Sequence, residues 1–129
     1  MTSFTINGLD KEGIDELMSI ANMRKFSRHA IIVSEGDDSN SVYFIVTGSV
    51  KVFLSDDDGN EVVIATLKAN DYFGEMALEE GYRSASVMAL EPVSLAIVGI
   101  AEFKNFLVSH PDFIFSLLSK LIRRTRVVT

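Results

Sequence analysis

The stretch "SVYFIVTGSVKVFLSDDDGNEVVIATL", residues 41–67, decides the fold class. It contains three short runs rich in β-branched and aromatic residues, at 41–46, 49–54 and 61–67. Such residues suit a pleated, half-buried surface. In "SVKVFL" the spacing is two: Val50, Val52 and Leu54 fall on one face and Lys51 on the other, so the strand has one drier and one wetter side. Thr47–Gly48 and Asp58–Gly59 read as chain reversals, each between two such runs.

The same texture continues on both sides. "AIIV" at 30–33 precedes "EGDDSN" at 35–40, a solvated turn, and strand-like runs persist from Arg28 to about Val98. Strands this short and evenly spaced predict an antiparallel sandwich, barrel or jelly roll. A parallel α/β fold does not fit, because no helix-length segment separates the runs.

Helical periodicity flanks this region. Asp10 can cap a helix whose Ile14, Leu17, Met18 and Ala21 share one stripe, with Gly13 a weak point inside it. The predicted limits are 9–24 for this helix, 28–100 for the strands and 101–129 for two closing helices. "AEFKNFLVS" places Phe103, Phe106 and Leu107 on one side, and "HPDF" interrupts it. Pro111 suits the first turn of the next helix, and Asp112 complements its positive end. That last helix has apolar residues at 113, 114, 115, 117, 118, 121 and 122, wider than one stripe. One face therefore packs on the sheet and another on a partner, for which a second copy is the natural candidate; the alternative is a groove of its own domain.

Composition narrows the function. The 129 residues are 47% apolar and 23% charged, as in one ordinary globular domain with a core of its own. With no cysteine there are no disulfides or thiolate metal sites, and a reducing, cytoplasmic setting is expected. No apolar run is long enough to span a membrane, and the amino terminus lacks the pattern of a secretory signal. A net charge of −6 argues against nucleic-acid binding by this domain alone. Two histidines, His29 and His110, are too few and too far apart for a metal centre or a Ser-His-acid set, so no enzyme is expected. His110 reads as a helix-boundary residue. "DDDGNE" at 56–61 has its glycine fourth, not sixth as a calcium loop requires, so it reads as a hairpin turn.

One segment remains, "DYFGEMALEEGYRSASV" at 71–87. It sets a carboxylate, Glu75, and a guanidinium, Arg83, among small and apolar residues. Gly74 admits a close backbone approach, and Ala77 and Ala85 keep the wall low. Arg83 can hold two anionic oxygens through its planar fork. Glu75, a few Å away, can accept from hydroxyls. Together these describe a nucleotide pocket; a surface Glu–Arg pair is the plainer alternative.

The set Phe73, Gly74, Glu75, Met76, Ala77, Leu78, Arg83, Ser84 and Ala85 resembles the phosphate-binding cassette of cyclic-nucleotide-binding domains. These occur in the catabolite activator (Crp/Fnr) family and in the regulatory subunits of cyclic-AMP-dependent protein kinase. The resemblance extends over nearly the whole chain. It implies an eight-stranded antiparallel β-roll with flanking helices and a cassette at 73–85. It also implies roles: Glu75 for the ribose 2′-hydroxyl, and Arg83 for the cyclic phosphate with Ser84 and backbone N–H groups around Ala77 and Ala85. Phe73, Gly74 and Met76 complete the cassette. Val52 and Ile64 match positions that line the sugar and base, and Val128 and Thr129 fall near where the family's long helix meets the base. No cofactor or metal is implied; the ligand is cyclic AMP or cyclic GMP. Serine at 84 occurs in cyclic-AMP binders, which favours cyclic AMP.

The span from Glu75 to Arg83 is shorter by at least one residue than in most members. No winged DNA-reading domain follows, so the chain reads as the effector domain of a regulator or as a stand-alone sensor, a homodimer through its last helix. The alternative is a dimerisation domain of the same fold without a ligand, with Glu75 bridging Arg83 and with Tyr82 or Phe73 filling the pocket.

Overall fold

A computed structural model describes residues 4–37, 40–75 and 85–128, with side chains as far as 123. Among them the chain forms α1 (Lys11–Ile20), β1 (Asn22–Phe26), β2 (Ile31–Val33), β3 (Ser41–Thr47), β4 (Ser49–Ser55), β5 (Glu61–Lys68), β6 (Tyr72–Phe73), β7 (Ser86–Ala89), β8 (Val93–Gly99), α2 (Ile100–Ser109) and α3 (Pro111–Val128). The strands make two four-stranded sheets, ordered β1-β8-β3-β6 and β2-β7-β4-β5, with every pairing antiparallel. This is the antiparallel, β-rich fold that the strand spacing predicts, with the eight strands and flanking helices that the family resemblance implies.

Strand alternation divides the core in two. Val42 and Phe44 of β3, Ala96 and Val98 of β8 and Tyr72 of β6 face the helices, where they meet Leu17, Phe103, Phe106, Phe113 and Leu117. Ile45, Leu95, Val93 and Phe73 point the other way, against Val33, Val50, Val87 and Ala89 of the second sheet. The first sheet is thus covered on both faces, which is why "VSLAIVG" of β8 is apolar at nearly every position. Phe44 and Phe113, both fully buried, stand 6.4 Å apart at their ring centroids and hold α3 against β3.

Four local expectations change. The first helix, expected over 9–24, ends at Ile20, and the strands, expected from Arg28, begin at Asn22. Asn22–Phe26 is almost wholly exposed and carries no alternation; it is a strand because β8 offers it an edge, with Asn22 opposite Ile97 and Phe26 opposite Val93. Thr47–Gly48 does not close a hairpin. It carries the chain from one sheet to the other, since β3 and β4 do not pair. Asp58–Gly59 does close one, between β4 and β5. In that turn Asp56 accepts from the backbone N–H of Asp58 and of Asn60 at 3.0 and 2.8 Å. Its carboxyl is held below the ordinary value, chiefly by the Asn60 backbone hydrogen bond.

The drier face of β4 is also cut short. Val50 is buried and Val52 half-buried, but the next buried residue is Phe53, not Leu54. The pairing with β5 slips at this point: Val52 faces Ala65, Phe53 faces Val63, and Ile64 is the extra residue. Lys51 Nζ lies 5.3 Å from the Phe53 ring centroid, so the alkyl stem and charge of the "wet" face help to cover the ring.

Candidate functional site

β6 is two residues long, and both face packed surroundings. Tyr72 enters the helix-side core and Phe73 the space between the sheets. Phe73 stacks on Tyr43 with ring centroids 4.9 Å apart and planes 2° from parallel. The chain then turns at Gly74, whose φ of 89° is one that L side chains rarely adopt. Glu75 follows and is 4% exposed, the one buried charged residue among those described. A carboxylate in that position needs compensating polar partners. One is Lys120 of α3, whose Nζ lies 3.3 Å from Glu75 Oε1.

On the second sheet, Ala85 is half-buried immediately before β7. Val52 lies opposite Val87 of β7 on one side and Ala65 of β5 on the other. It also packs on the same inter-sheet cluster as Phe73. Ile64, at the bulge, is 51% exposed. The start of β7 is tied down by Ser86 Oγ, which accepts from the Glu35 N–H at 2.8 Å. Glu75 thus follows the edge strand β6 of one sheet, and Ala85 precedes β7, an inner strand of the other.

The structure places Phe73, Gly74 and Glu75 at one end of this segment, and Ala85 at the other with Val52 and Ile64 on neighbouring strands. Met76, Ala77, Arg83 and Ser84 lie outside the described residues, as do Tyr82, Thr129 and the Val128 side chain.

A family model described as "Cyclic nucleotide-binding domain" matches residues 23–110. The chain belongs to that family. The match takes in both sheets, the whole cassette and α2. Among curated relatives, the "cAMP-activated global transcriptional regulator Vfr" of Pseudomonas aeruginosa is 31% identical over 121 residues, covering 90% of this chain and 56% of Vfr. The crystal structure of the Thermus thermophilus catabolite activator protein superposes with a TM-score of 0.86 at 30% identity, over 94% of this chain and 57% of that one. The cAMP-bound form of the EAL enzyme Bd1971 is 34% identical, with a TM-score of 0.65, over 83% of this chain and 29% of that one. This cyclic nucleotide-binding domain thus spans about half the length of the curated relatives it matches.

Two residues of the site escape a reading of the sequence. Lys120 donates to the Tyr72 carbonyl at 2.6 Å, and its Nζ stands 3.7 Å from the Tyr72 ring centroid. Burial, and then the negative charge of Glu75, push the Tyr72 hydroxyl well above its ordinary value, against an opposing pull from Arg123. A signal for Lys120 does exist: it follows Phe113 and Leu117 at i+7 and i+3, on the stripe that those two bury. A lysine on a buried stripe calls for a partner.

The last helix has the two faces its composition predicts. Phe113 and Leu117 are buried, whereas Phe115, Leu118 and Ile122 are 69, 47 and 56% exposed at i, i+3, i+7 spacing. His110 caps α2, stacks on Phe106 at 4.3 Å and pairs with Glu16 of α1, as a helix-boundary residue should. Among the described residues no group of three His, Asp or Glu could hold a metal ion, and no helix is long and apolar enough to cross a membrane.

Proposed function

We propose that this domain binds a cyclic nucleoside monophosphate, cyclic AMP in preference to cyclic GMP, and passes the event to α3. The observation that carries the reading is Glu75: a carboxylate 4% exposed, fixed at the turn after β6, in a chain that belongs to the cyclic nucleotide-binding family. In this reading Glu75 accepts from the ribose 2′-hydroxyl. Arg83, with Ser84 and the N–H groups around Ala77 and Ala85, holds the cyclic phosphate, the combination that charge-assisted bidentate bonding serves best. Val52 and the exposed Ile64 supply apolar surface for sugar and base. Ser84, the likeness to the cAMP-activated Vfr and the likeness to the cAMP-bound Bd1971 structure all favour cyclic AMP.

The domain works as a binding module, not an enzyme, within a cytoplasmic regulator of transcription. A second copy covers Phe115, Leu118 and Ile122, and nucleic acid is left to another part of the regulator. Nucleotide shifts α3 only to the extent that it binds one arrangement of that helix more tightly than another.

Calorimetric titration of the purified domain with cyclic AMP and cyclic GMP tests the reading. Binding of cyclic AMP is expected, lost in Arg83→Ala and reduced in Glu75→Gln. An absence of heat with either nucleotide at millimolar concentration refutes it. One observation favours the other reading, a ligand-free interaction domain: Phe73 already fills part of the space between the sheets. That reading predicts no heat from any of these proteins while the dimer persists.

A further inference from the structure

Lys120 joins α3 to the nucleotide segment through its ammonium. That group stands 3.3 Å from Glu75 Oε1, donates to the Tyr72 carbonyl at 2.6 Å and lies 3.7 Å from the Tyr72 ring centroid. Backbone, ring and carboxylate bracket Phe73–Gly74, so a single cation of α3 grips both sides of the turn that presents Glu75. The side chains of Glu75 and Lys120 are 3% and 24% exposed, so the charge pair sits where water screens it weakly while the lysine keeps a path to solvent.

We propose that Lys120 is a positioning residue for the nucleotide. It holds the Glu75 carboxylate where a ribose hydroxyl can reach it and, because it stands on α3, makes the docking of α3 on β6 part of the binding equilibrium. The proposal rests on the nucleotide reading given above. A carboxylate offers about four lone-pair sites on two oxygens, so an ammonium and a hydroxyl can share it. Linkage then fixes the sign. If a docked Lys120 strengthens nucleotide binding by some factor, nucleotide strengthens the docking of α3 by the same factor. Phe115, Leu118 and Ile122 ride on that helix, so a change in its docking moves the exposed apolar stripe with it.

The test combines calorimetry with cyclic AMP and hydrogen exchange of the α3 backbone amides, with and without nucleotide. Lys120→Met keeps an unbranched apolar stem and removes the charge. It should weaken cyclic AMP binding about tenfold, within the roughly 5- to 150-fold range of coupled sites. Lys120→Arg should restore most of the affinity. In a Glu75→Gln background Lys120→Met should change affinity less than twofold, which a purely structural role of the lysine would not produce. Nucleotide should slow exchange in α3 of the unaltered protein and leave it unchanged in Lys120→Met.

The proposal is overturned if Lys120→Met binds as tightly as the parent, if its loss is the same with Glu75→Gln present, or if nucleotide still protects its α3. If the unaltered protein binds neither cyclic AMP nor cyclic GMP, the nucleotide reading itself has failed. The docking half is then read without ligand: Lys120→Met should speed α3 exchange several-fold, and equal exchange overturns it. Should the methionine variant not fold, Lys120→Gln takes its place.

Discussion

Alanine at Gly48 should destabilise the fold more than the same change at Gly59. Both glycines have positive φ, 93° and 83°. In that region a Cβ crowds the following carbonyl, which costs about 1–2 kcal/mol. At Gly59 nothing else lies within 4 Å of the added carbon, so the dihedral term is the whole effect. At Gly48 the new Cβ would stand 2.5 Å from Val93 Cγ1, 2.6 Å from the Pro92 carbonyl oxygen and 2.9 Å from Val93 Cα. Two of these are backbone atoms and cannot rotate away. Relief requires moving the Pro92–Val93 corner, and Val93 opens β8, the strand that pairs with both β1 and β3. Overpacking of this kind adds about 1–3 kcal/mol. The expected losses are therefore about 1–2 kcal/mol for Gly59→Ala and about 2–5 kcal/mol for Gly48→Ala. Against a domain stability of roughly 5–15 kcal/mol, the second is a large share. Urea unfolding followed by far-ultraviolet circular dichroism measures both. With a slope of about 1–3 kcal/mol per M, the extra loss of about 1–3 kcal/mol should place the Gly48→Ala midpoint about 1 M below that of Gly59→Ala. Equal midpoints for the two variants would refute the close-approach argument at the sheet-to-sheet corner.

Other substitutions probe the core, the exposed stripe and the titrating groups. Phe113→Ala removes a ring that meets Phe44, Tyr72, Phe103 and Phe106 at 5.7–6.4 Å between centroids, and should cost about 3–5 kcal/mol in the same unfolding assay. Leu118→Lys with Ile122→Lys should leave the monomer fold intact and shift a dimer to monomer, read by light scattering at micromolar protein; an unchanged mass would show that α3 is not the dimer seam. Tyr72 is neutral in the fold with its hydroxyl raised, so the unfolded chain releases that proton first. Stability should fall as pH rises through about 10, the ordinary tyrosine value, and Tyr72→Phe should flatten that dependence. Asp56 shows the opposite sign: its folded carboxyl titrates below the ordinary value, so its contribution is present above that value and fades as pH falls through the folded one. Carbon-detected NMR titration should find the Asp56 midpoint below 3.8.

Whatever depends on local spacing was legible in the amino-acid order. Period-two runs and Asp-Gly punctuation placed the strands β3 to β5 and the hairpin at Asp58–Gly59, because side-chain alternation and turn conformation are properties of neighbouring residues. Phe103 and Phe106 were legible as one packed side of a helix for the same reason, whereas which of the apolar residues of the last helix are buried, Phe113 and Leu117, was not. The stretch from Phe73 to Ala85 was legible as a motif resembling the family to which the chain belongs, and the family match over residues 23–110 spans it. Which strands become partners was decided by the assembled fold. Asn22–Phe26 carries no pattern of its own and takes its form from β8. Thr47–Gly48 looks like any reversal until the two sheets define it as a corner. Phe53 rather than Leu54 is buried because a bulge at Ile64 resets the pairing. Lys120 meets Glu75 across 45 residues of chain, and a contact of that separation leaves no local trace beyond a lysine on an apolar stripe. Periodicity is written residue by residue, whereas pairing is settled only when distant edges and faces compete for the same partner.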